Sequence, residues 1–275
     1  SGSVRLTPST VPVGVVSAGT GAALESTLFF PAATAATGIE LWRTDGTAPG
    51  TQLVQDFVPG PAFGVSSVVF AKGSIWVAGG SAIWRIDGPG SAPVLAVQPD
   101  PAASFAGGLV AQDGWLLFRT SSPTGSKFWR SDGTPSGTVL LRSTQALFQN
   151  ILLYAQHDDV TYWSLVEFSS TKLWRSDGTV TGQFDLGSSS SWFAVFGDRV
   201  VFARPGIGSA ELRAVVGNAA TSQPIATVPS LPVASASTCS LLVCVTAAGT
   251  AFATDGISTI TPLPLPTVNS ALFAE

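Results

Sequence analysis

The side chains best suited to chemistry recur in one short phrase, which first appears as LWRTDGTAPGT at residues 41–51. Arginine and aspartate lie two residues apart in it, so both side chains share one face of a strand. Such a pair could bind a polar ligand, or it could close a repeated turn. The copies comprise Trp42, Arg43, Asp45 and Gly46; Trp84, Arg85, Asp87 and Gly88; Trp129, Arg130, Asp132 and Gly133; Trp174, Arg175, Asp177 and Gly178; and the partial Asp255 and Gly256.

The residue types favour a structural role for this phrase. Aspartate bonds backbone two residues on, and glycine accepts positive φ, so the pair is typical of a tight turn. A tryptophan in mid-strand fills space between sheets, and the arginine can bond its own turn, bond a neighbouring turn or stack on an indole. One copy has lost the set, with Arg213, Ala214 and Val216 in the Trp, Arg and Asp positions, and another carries Ala253 for Arg. We therefore predict that the phrase is structural, with a repeated ligand site as the alternative.

Other reactive groups are sparse. His157 to Asp159 form one cluster of titratable side chains, and a polar hairpin turn explains it better than acid–base or metal chemistry. The sequence lacks the motifs of serine hydrolases, phosphate loops, dinucleotide folds and zinc sites, so we predict no catalytic residue, metal or cofactor. Four tryptophans outside the phrase are weak ligand-binding candidates, although each is more often a core residue: Trp76, Trp115, Trp163 and Trp192.

The two cysteines, Cys239 and Cys244, flank a short apolar stretch. They could be buried small hydrophobes, or they could form a disulfide across a hairpin, which would imply an oxidising compartment. A metal site would need further ligands nearby. We expect the disulfide.

The composition excludes several classes of protein. Of 275 residues, 45% are hydrophobic and 11% charged, which is enough apolar material for a core. The net charge is −4 without a basic cluster, so we expect no nucleic-acid partner. No apolar run approaches the ~20 residues of a spanning helix. The chain has no methionine, so we expect that its natural start is missing and that it could belong to a larger exported chain or assembly.

The spacing of the phrase predicts the architecture. Its aspartates are separated by 42, 45, 45 and 78 residues, and the last interval holds a degenerate copy at Val216. Each of the six resulting repeats contains four short strand patterns between turn residues. Repeats of this length and content are typical of β-propeller blades. We predict one all-β propeller domain over residues 1–275, with six four-stranded blades and little helix. Strands near both termini would close the ring or, alternatively, build a partial blade at a seventh position.

The segment ELWRTDGTAPGT, residues 40–51, resembles a bacterial repeat family named for its Glu-Leu-Trp-x-x-Asp-Gly-Thr consensus. That family occurs in secreted and surface proteins of myxobacteria and other bacteria. The match is strongest in the first, third and fourth repeats, and the repeats together cover nearly the whole chain. The resemblance implies a propeller-like domain and an exported location, and it implies no activity.

These observations predict a non-enzymatic recognition or scaffold module that binds a protein or glycan partner. We expect an extracellular, cell-surface or periplasmic location. The alternative is a glycan-active hydrolase or lyase, whose carboxylates or histidine would converge in the central funnel of the propeller.

Overall fold

The computed structural model describes most of the chain between Gly14 and Leu263. The described residues are 14–15, 21–112, 114–144, 149–157, 160–167, 170–177, 179, 182–189, 192–196, 199–216, 219, 221–230, 232–237, 242–246, 251–255 and 260–263. Within these ranges the regular structure consists of β-strands, without a helix. The all-β prediction is confirmed. No helix in this part of the chain is long and apolar enough to cross a membrane.

The chain divides into two compact units, residues 1–147 and 148–275, and the first unit carries three antiparallel sheets. Sheet A contains β1 (Gly14–Val15), β2 (Ala22–Leu24), β3 (Thr27–Thr34), β4 (Gly38–Thr44) and β5 (Gln52–Gln55). Sheet B contains β6 (Val65–Ala71), β7 (Ser74–Gly79), β8 (Ala82–Ile86) and β9 (Val94–Val97). Sheet C contains β10 (Phe105–Gln112), β11 (Trp115–Ser122), β12 (Gly125–Ser131) and β13 (Thr138–Ser143).

The second unit carries three further sheets of four strands each. Sheet D contains β14 (Gln149–His157), β15 (Val160–Glu167), β16 (Ser170–Ser176) and β17 (Gln183–Ser189). Sheet E contains β18 (Phe193–Phe196), β19 (Arg199–Pro205), β20 (Ala210–Val216) and β21 (Gln223–Val228). Sheet F contains β22 (Pro232–Ser237), β23 (Leu242–Thr246), β24 (Ala251–Thr254) and β25 (Ile260–Leu263).

Every sheet is a meander in which each strand pairs with the one before it in the chain. Sheet A differs in one respect, because β1 and β2 share the same edge and pair with opposite ends of β3. The four-stranded repeat unit is thus present in the described residues, and the first sheet has five strands. The terminal segments 3–9 and 269–275, which we expected to pair, lie outside the described residues.

A shift of strand register recurs at the same position of the repeat unit in most of the sheets. In five sheets, the register between the third and fourth strands shifts beside the tryptophan of the phrase or its replacement. The positions after the shift are Trp42, Trp84, Trp129, Trp174 and Arg213. A bulge at this point bends the edge strand and increases its twist.

The core lies between the faces of successive sheets within each unit. Sheets A and B share one buried apolar cluster, and sheets B and C share another. In the second unit, sheets D and E share a cluster, as do sheets E and F. Inner sheets are therefore buried on both faces, which explains why strands such as SIWVAG (β7) are apolar throughout instead of alternating.

The predicted Cys239–Cys244 disulfide is not supported. Cys244 is a free, buried thiol in β23, and the register places Ser235 opposite it. Cys239 lies outside the described residues. The Cys244 thiol packs in the cluster between sheets E and F, and burial raises its pKa to about 12. Cys244 therefore packs as a small hydrophobe, which was the other interpretation of the sequence.

Candidate functional site

The repeated phrase forms a hydrogen-bonded turn between the third and fourth strands. In sheet A, the amide and the hydroxyl of Thr47 both donate to Asp45 Oδ1, at 2.9 and 2.7 Å. The Gly50 amide donates to Thr47 Oγ1 at 3.0 Å, and the Gly46 amide donates to Thr44 Oγ1 at 3.1 Å. Gly46 has a φ of 90°, a conformation that glycine adopts without strain. The Asp45 carboxylate therefore stabilises the turn in which it lies.

The same contacts recur in sheets C and D. Thr134 donates from its amide and hydroxyl to Asp132 Oδ1, at 2.8 and 2.7 Å. Thr179 makes the equivalent bonds to Asp177 Oδ1, at 2.8 and 2.7 Å. A second glycine, five residues after each aspartate, lies so close to the carboxylate that a β-carbon would overlap it: Gly50, Gly137 and Gly182. Our sequence analysis overlooked this glycine, although it stands in three copies of the phrase.

Replacing Gly137 with alanine is expected to lower the free energy of unfolding by about 1 to 3 kcal/mol, because the new methyl group displaces the Asp132 carboxylate. Gly90→Ala is the matched control, since a β-carbon there meets no atom within 4 Å. We expect a change of about 0.5 kcal/mol or less for the control. Denaturant unfolding of the two variants measures both values, and equal losses would show that the carboxylate contact is unimportant.

The hydrogen-bonded aspartates of these turns predict that the folded state loses stability in acid. Hydrogen bonds from the following threonine hold the pKa values of Asp45, Asp132 and Asp177 below the ordinary 3.8. The hydroxyl is the largest cause for Asp45 and Asp132, and the amide is the largest for Asp177. A lowered pKa gives stability that is complete above pH 3.8 and is lost as the pH falls through the folded-state value.

We therefore expect the melting temperature to fall below pH 4, with a shallower fall in the triple variant Asp45→Asn, Asp132→Asn, Asp177→Asn. Asparagine keeps an acceptor oxygen and does not titrate. Thermal melts between pH 2 and pH 5 measure the difference. Parallel curves for the two proteins would mean that the three carboxylates contribute nothing to acid stability.

The second copy closes its turn differently because Pro89 replaces the threonine. The Arg85 side chain forms an ion pair with Asp87 at 2.9 Å, and the Ser74 hydroxyl donates to the same carboxylate at 2.8 Å. Both partners are on sheet B. The aspartate is again bound within its own sheet.

The arginines of the phrase in sheets A to D make all three kinds of contact that the sequence suggested. Arg85 bonds its own turn, as described. Arg43 donates to the Pro89 carbonyl in the turn of sheet B at 2.6 Å, and Arg175 donates to the Ala219 carbonyl beyond β20 of sheet E at 2.6 Å. Arg130 stacks on Trp115, with its guanidinium carbon 4.0 Å from the ring centroid. Two arginines thus tie one sheet to the next.

The degenerate fifth repeat replaces indole packing with polar contacts. Arg213 stands in the tryptophan position and donates to the hydroxyl and carbonyl of Ser222, at 2.8 and 2.7 Å. It also contacts Glu211 at 3.1 Å. The side chain still joins the third strand of its sheet to the residue that precedes the fourth strand.

The weak ligand-binding candidates are mostly core residues. Trp76 is 3% exposed, and its indole lies against Gly133 in the turn of sheet C. Trp163 is fully buried and stacks on Trp174, and Trp192 packs against the cluster between sheets E and F. Trp115 is half-buried beneath Arg130.

Several residues that the sequence analysis named lie outside the described residues or at the ends of described strands. Gly178 and Gly256 of the phrase lie outside the described residues, as do Asp158 and Asp159. His157 ends β14, and Asp255 follows β24. No group of three or more His, Cys, Asp or Glu side chains comes together as a metal site among the residues that the structure describes.

A buried glutamate, the first residue of the Glu-Leu-Trp consensus, holds the connection between sheets A and B; our sequence analysis assigned it no separate role. Glu40 is fully buried, and its carboxylate accepts the amides of Phe57 and Val58 at 2.8 and 3.3 Å. Burial raises its pKa to about 7; the two amides oppose that rise and the nearby Asp56 adds to it. Ala82, Lys127 and Lys172 occupy this position in the next three repeats and Glu211 occupies it in the fifth, so the repeats carried a weak signal for this glutamate.

A groove lies between sheets B and C. The equivalent space between sheets A and B is filled by the side chain of Phe57. Leu53 of β5 lies opposite Trp42, and four residues later Phe57 packs on Trp84, with ring centroids 5.2 Å apart. Leu95 of β9 holds the equivalent place in sheet B, and Pro99 stands four residues later. Proline covers less surface than phenylalanine, and a cavity of about 510 Å³ lies beside it. Its lining includes Leu95, Val97, Gln98, Pro99, Trp129 and Pro135.

This groove, hereafter the β9 groove, combines an apolar wall with few polar groups. Its lining carries no charged side chain, and Gln98 and Thr138 supply an amide and a hydroxyl. A smaller cleft of about 250 Å³ lies between the turns of sheets A and B, beside Arg43, Asp45 and Gln52. Apolar concavities with a few polar groups are the usual form of a binding site.

No protein-family model and no curated protein matches the sequence, so membership of the Glu-Leu-Trp-x-x-Asp-Gly-Thr family stays a prediction. Among solved structures, the chain is similar to a prolyl endopeptidase, with a TM-score of 0.56 and 12% identity over 92% of this chain. It spans 42% of that protein's length.

Two further structures are similar. Prolyl oligopeptidase B from Galerina marginata gives a TM-score of 0.55 and 10% identity, covering 94% of this chain and 42% of its own. An oligogalacturonate lyase in complex with manganese gives 0.54 and 9%, covering 86% and 73%. At these identities a likeness informs on fold alone. Structural neighbours of this chain are propeller-type proteins, and the comparisons support a β-propeller-like fold.

Proposed function

We propose that this chain is a non-enzymatic recognition module of an exported or cell-surface bacterial protein, and that the β9 groove is its binding site. The observation that carries the proposal is the exchange of Phe57 for Pro99 between equivalent positions of two successive repeats. The same architecture therefore has a filled interface in one place and an open apolar groove in the next. The ligand class is a protein or a glycan.

The internal contacts already made by the aspartates and arginines of the phrase support the assignment of the binding site to the groove. In the copies of sheets A to D, the aspartates are bound within their turns, and the arginines bind a turn or an aromatic ring. Groups committed to such contacts would have to be released before they could bind a ligand, at a cost of about 1 kcal/mol or more per hydrogen bond. The apolar side chains of the open groove, such as Leu95, Val97 and Pro99, carry no such cost.

The same proposal includes a single propeller of six four-stranded blades, with the phrase connecting successive blades. It is supported by the six meander sheets, the regular spacing of the phrase and the apolar clusters between neighbouring sheets. The prediction of an exported bacterial protein of the Glu-Leu-Trp repeat type belongs to this proposal and rests on the sequence resemblance.

An array that carries both glycans and synthetic peptides tests the function. The purified chain is expected to bind members of one class, and Pro99→Phe should abolish that binding because the new ring fills the groove as Phe57 fills the preceding interface. Pro49→Phe makes the same change on an exposed turn and should leave binding intact. Retained binding in Pro99→Phe would exclude the groove, and release of cleaved sugar products from the arrayed glycans would indicate an enzyme instead.

A further inference from the structure

The last strand of each sheet is an edge strand in the described sheet order, and four of the six carry a proline or a charged side chain, which protect exposed edges from strand addition. These residues are Arg142 in β13, Asp185 in β17, Pro224 in β21 and Pro262 in β25. Strand β5, QLVQ, is polar at both ends. Strand β9 reads VLAV and has neither a proline nor a charged or polar side chain.

Strand β9 is also unusually exposed for its composition. Val94 and Leu95 are 56% and 48% exposed, and these neighbours point to opposite faces of the sheet. The Leu95 side chain lines the β9 groove together with Ala96 and Val97. An unprotected backbone edge and an apolar groove therefore lie side by side along one strand.

The length of strand β9 distinguishes between two partners that could pair with it, a second copy of this chain and an extended segment of another protein. Pairing of β9 with its copy in a second molecule would join strands of four residues, burying on the order of a few hundred Å², well below the ~1,000 Å² of a specific interface. A polypeptide strand that pairs with β9 also places alternate side chains into the groove, so it gains main-chain hydrogen bonds and side-chain burial together. The uncharged lining of the groove favours uncharged side chains.

We propose that β9 accepts an extended, uncharged segment of a partner protein as a fifth strand of sheet B, with alternate apolar side chains of that segment in the β9 groove. This inference rests on the proposed function and deepens it, because it selects a protein partner over a glycan. The backbone supplies affinity in this mode, and the groove supplies selectivity for the side chains.

The test uses acetylated and amidated eight-residue peptides in which valine or leucine alternates with threonine. Two isomers are methylated on alternate backbone nitrogens, one on the odd positions and one on the even positions. Because successive N–H groups of a strand point to opposite edges, one isomer should bind like the parent peptide and the other should lose binding. Leu95→Lys places a charge on the edge and should weaken binding by about tenfold or more. Leu53→Lys, at the equivalent position of β5, should leave it unchanged, and thermal melts confirm that both variants are folded.

The outcomes separate the two proposals. Equal binding of both methylated isomers, or full binding by Leu95→Lys, overturns strand addition. Glycan binding that Pro99→Phe abolishes, without peptide binding, also overturns strand addition and leaves the recognition function standing. Failure of both ligand classes to bind overturns both proposals.

Discussion

Replacing Trp76 with alanine is expected to lower the free energy of unfolding by about 3 to 5 kcal/mol, the usual range for a buried tryptophan. The indole is 3% exposed, and its Nε1 donates to the Ala71 carbonyl at 2.9 Å. Its ring also lies against Gly133, so the substitution loosens the packing of sheet B on the turn of sheet C. Denaturant unfolding at constant pH measures the loss.

Trp115→Ala is the matched control for Trp76→Ala. Trp115 begins β11 and is half-buried, with the Arg130 guanidinium stacked on it. Removing it should cost clearly less, because part of the ring already faces solvent. A larger loss for Trp115→Ala than for Trp76→Ala would contradict the assignment of Trp76 to the core.

Stability is expected to fall by up to about 3 kcal/mol as the pH rises from 4.5 to beyond 7, because of Glu40. Burial raises the pKa of this carboxyl from the ordinary 4.5 to about 7. The folded state thus binds the proton more tightly than the unfolded state does. The stabilising contribution is complete below pH 4.5 and is lost as the pH rises through 7. Urea unfolding at several pH values between 4.5 and 8 measures the slope.

Glu40→Gln isolates this contribution. Glutamine has nearly the same shape, accepts the Phe57 amide through its carbonyl oxygen and does not titrate. The variant should therefore lose stability more slowly than the natural chain as the pH rises. An identical slope in both proteins would show that Glu40 keeps an ordinary pKa despite its burial.

The sequence predicted the repeat unit well because turn chemistry is local. Asp45, Asp132 and Asp177 each bond the threonine two residues on, and apolar strands between such turns follow from composition. The decay of the phrase in the fifth repeat indicated a structural role, and Arg213 shows how a different side chain can occupy the same position. The three contacts foreseen for the arginines all occur, although their assignment to particular sheets depends on tertiary geometry.

Features that depend on two distant segments were not predicted. Glu40 accepts an amide from a loop some 17 residues away, and although Glu211 stands at its position in the fifth repeat, Ala82, Lys127 and Lys172 stand there in the three repeats between. The β9 groove arises from the exchange of Phe57 for Pro99. These two positions are recognised as equivalent only when the strand register aligns Leu53 with Leu95. The disulfide prediction is not supported, because spacing along the chain gives no strand register and the register pairs Cys244 with Ser235.

The central claim is that the Asp-Gly turns of the repeated phrase stabilise the fold and that recognition occurs in the β9 groove, where the third copy contributes only Trp129, Pro135 and Thr138 to the lining. The double variant Asp45→Ala, Asp177→Ala tests it directly, because it removes two turn acceptors that do not line the groove. Thermal melting and array binding are measured on the same sample. We expect a lower melting temperature than that of the natural chain, with an unchanged pattern of bound ligands at temperatures where the variant is folded. An unchanged melting temperature with loss of binding would contradict the account and identify the repeated phrase as the ligand site.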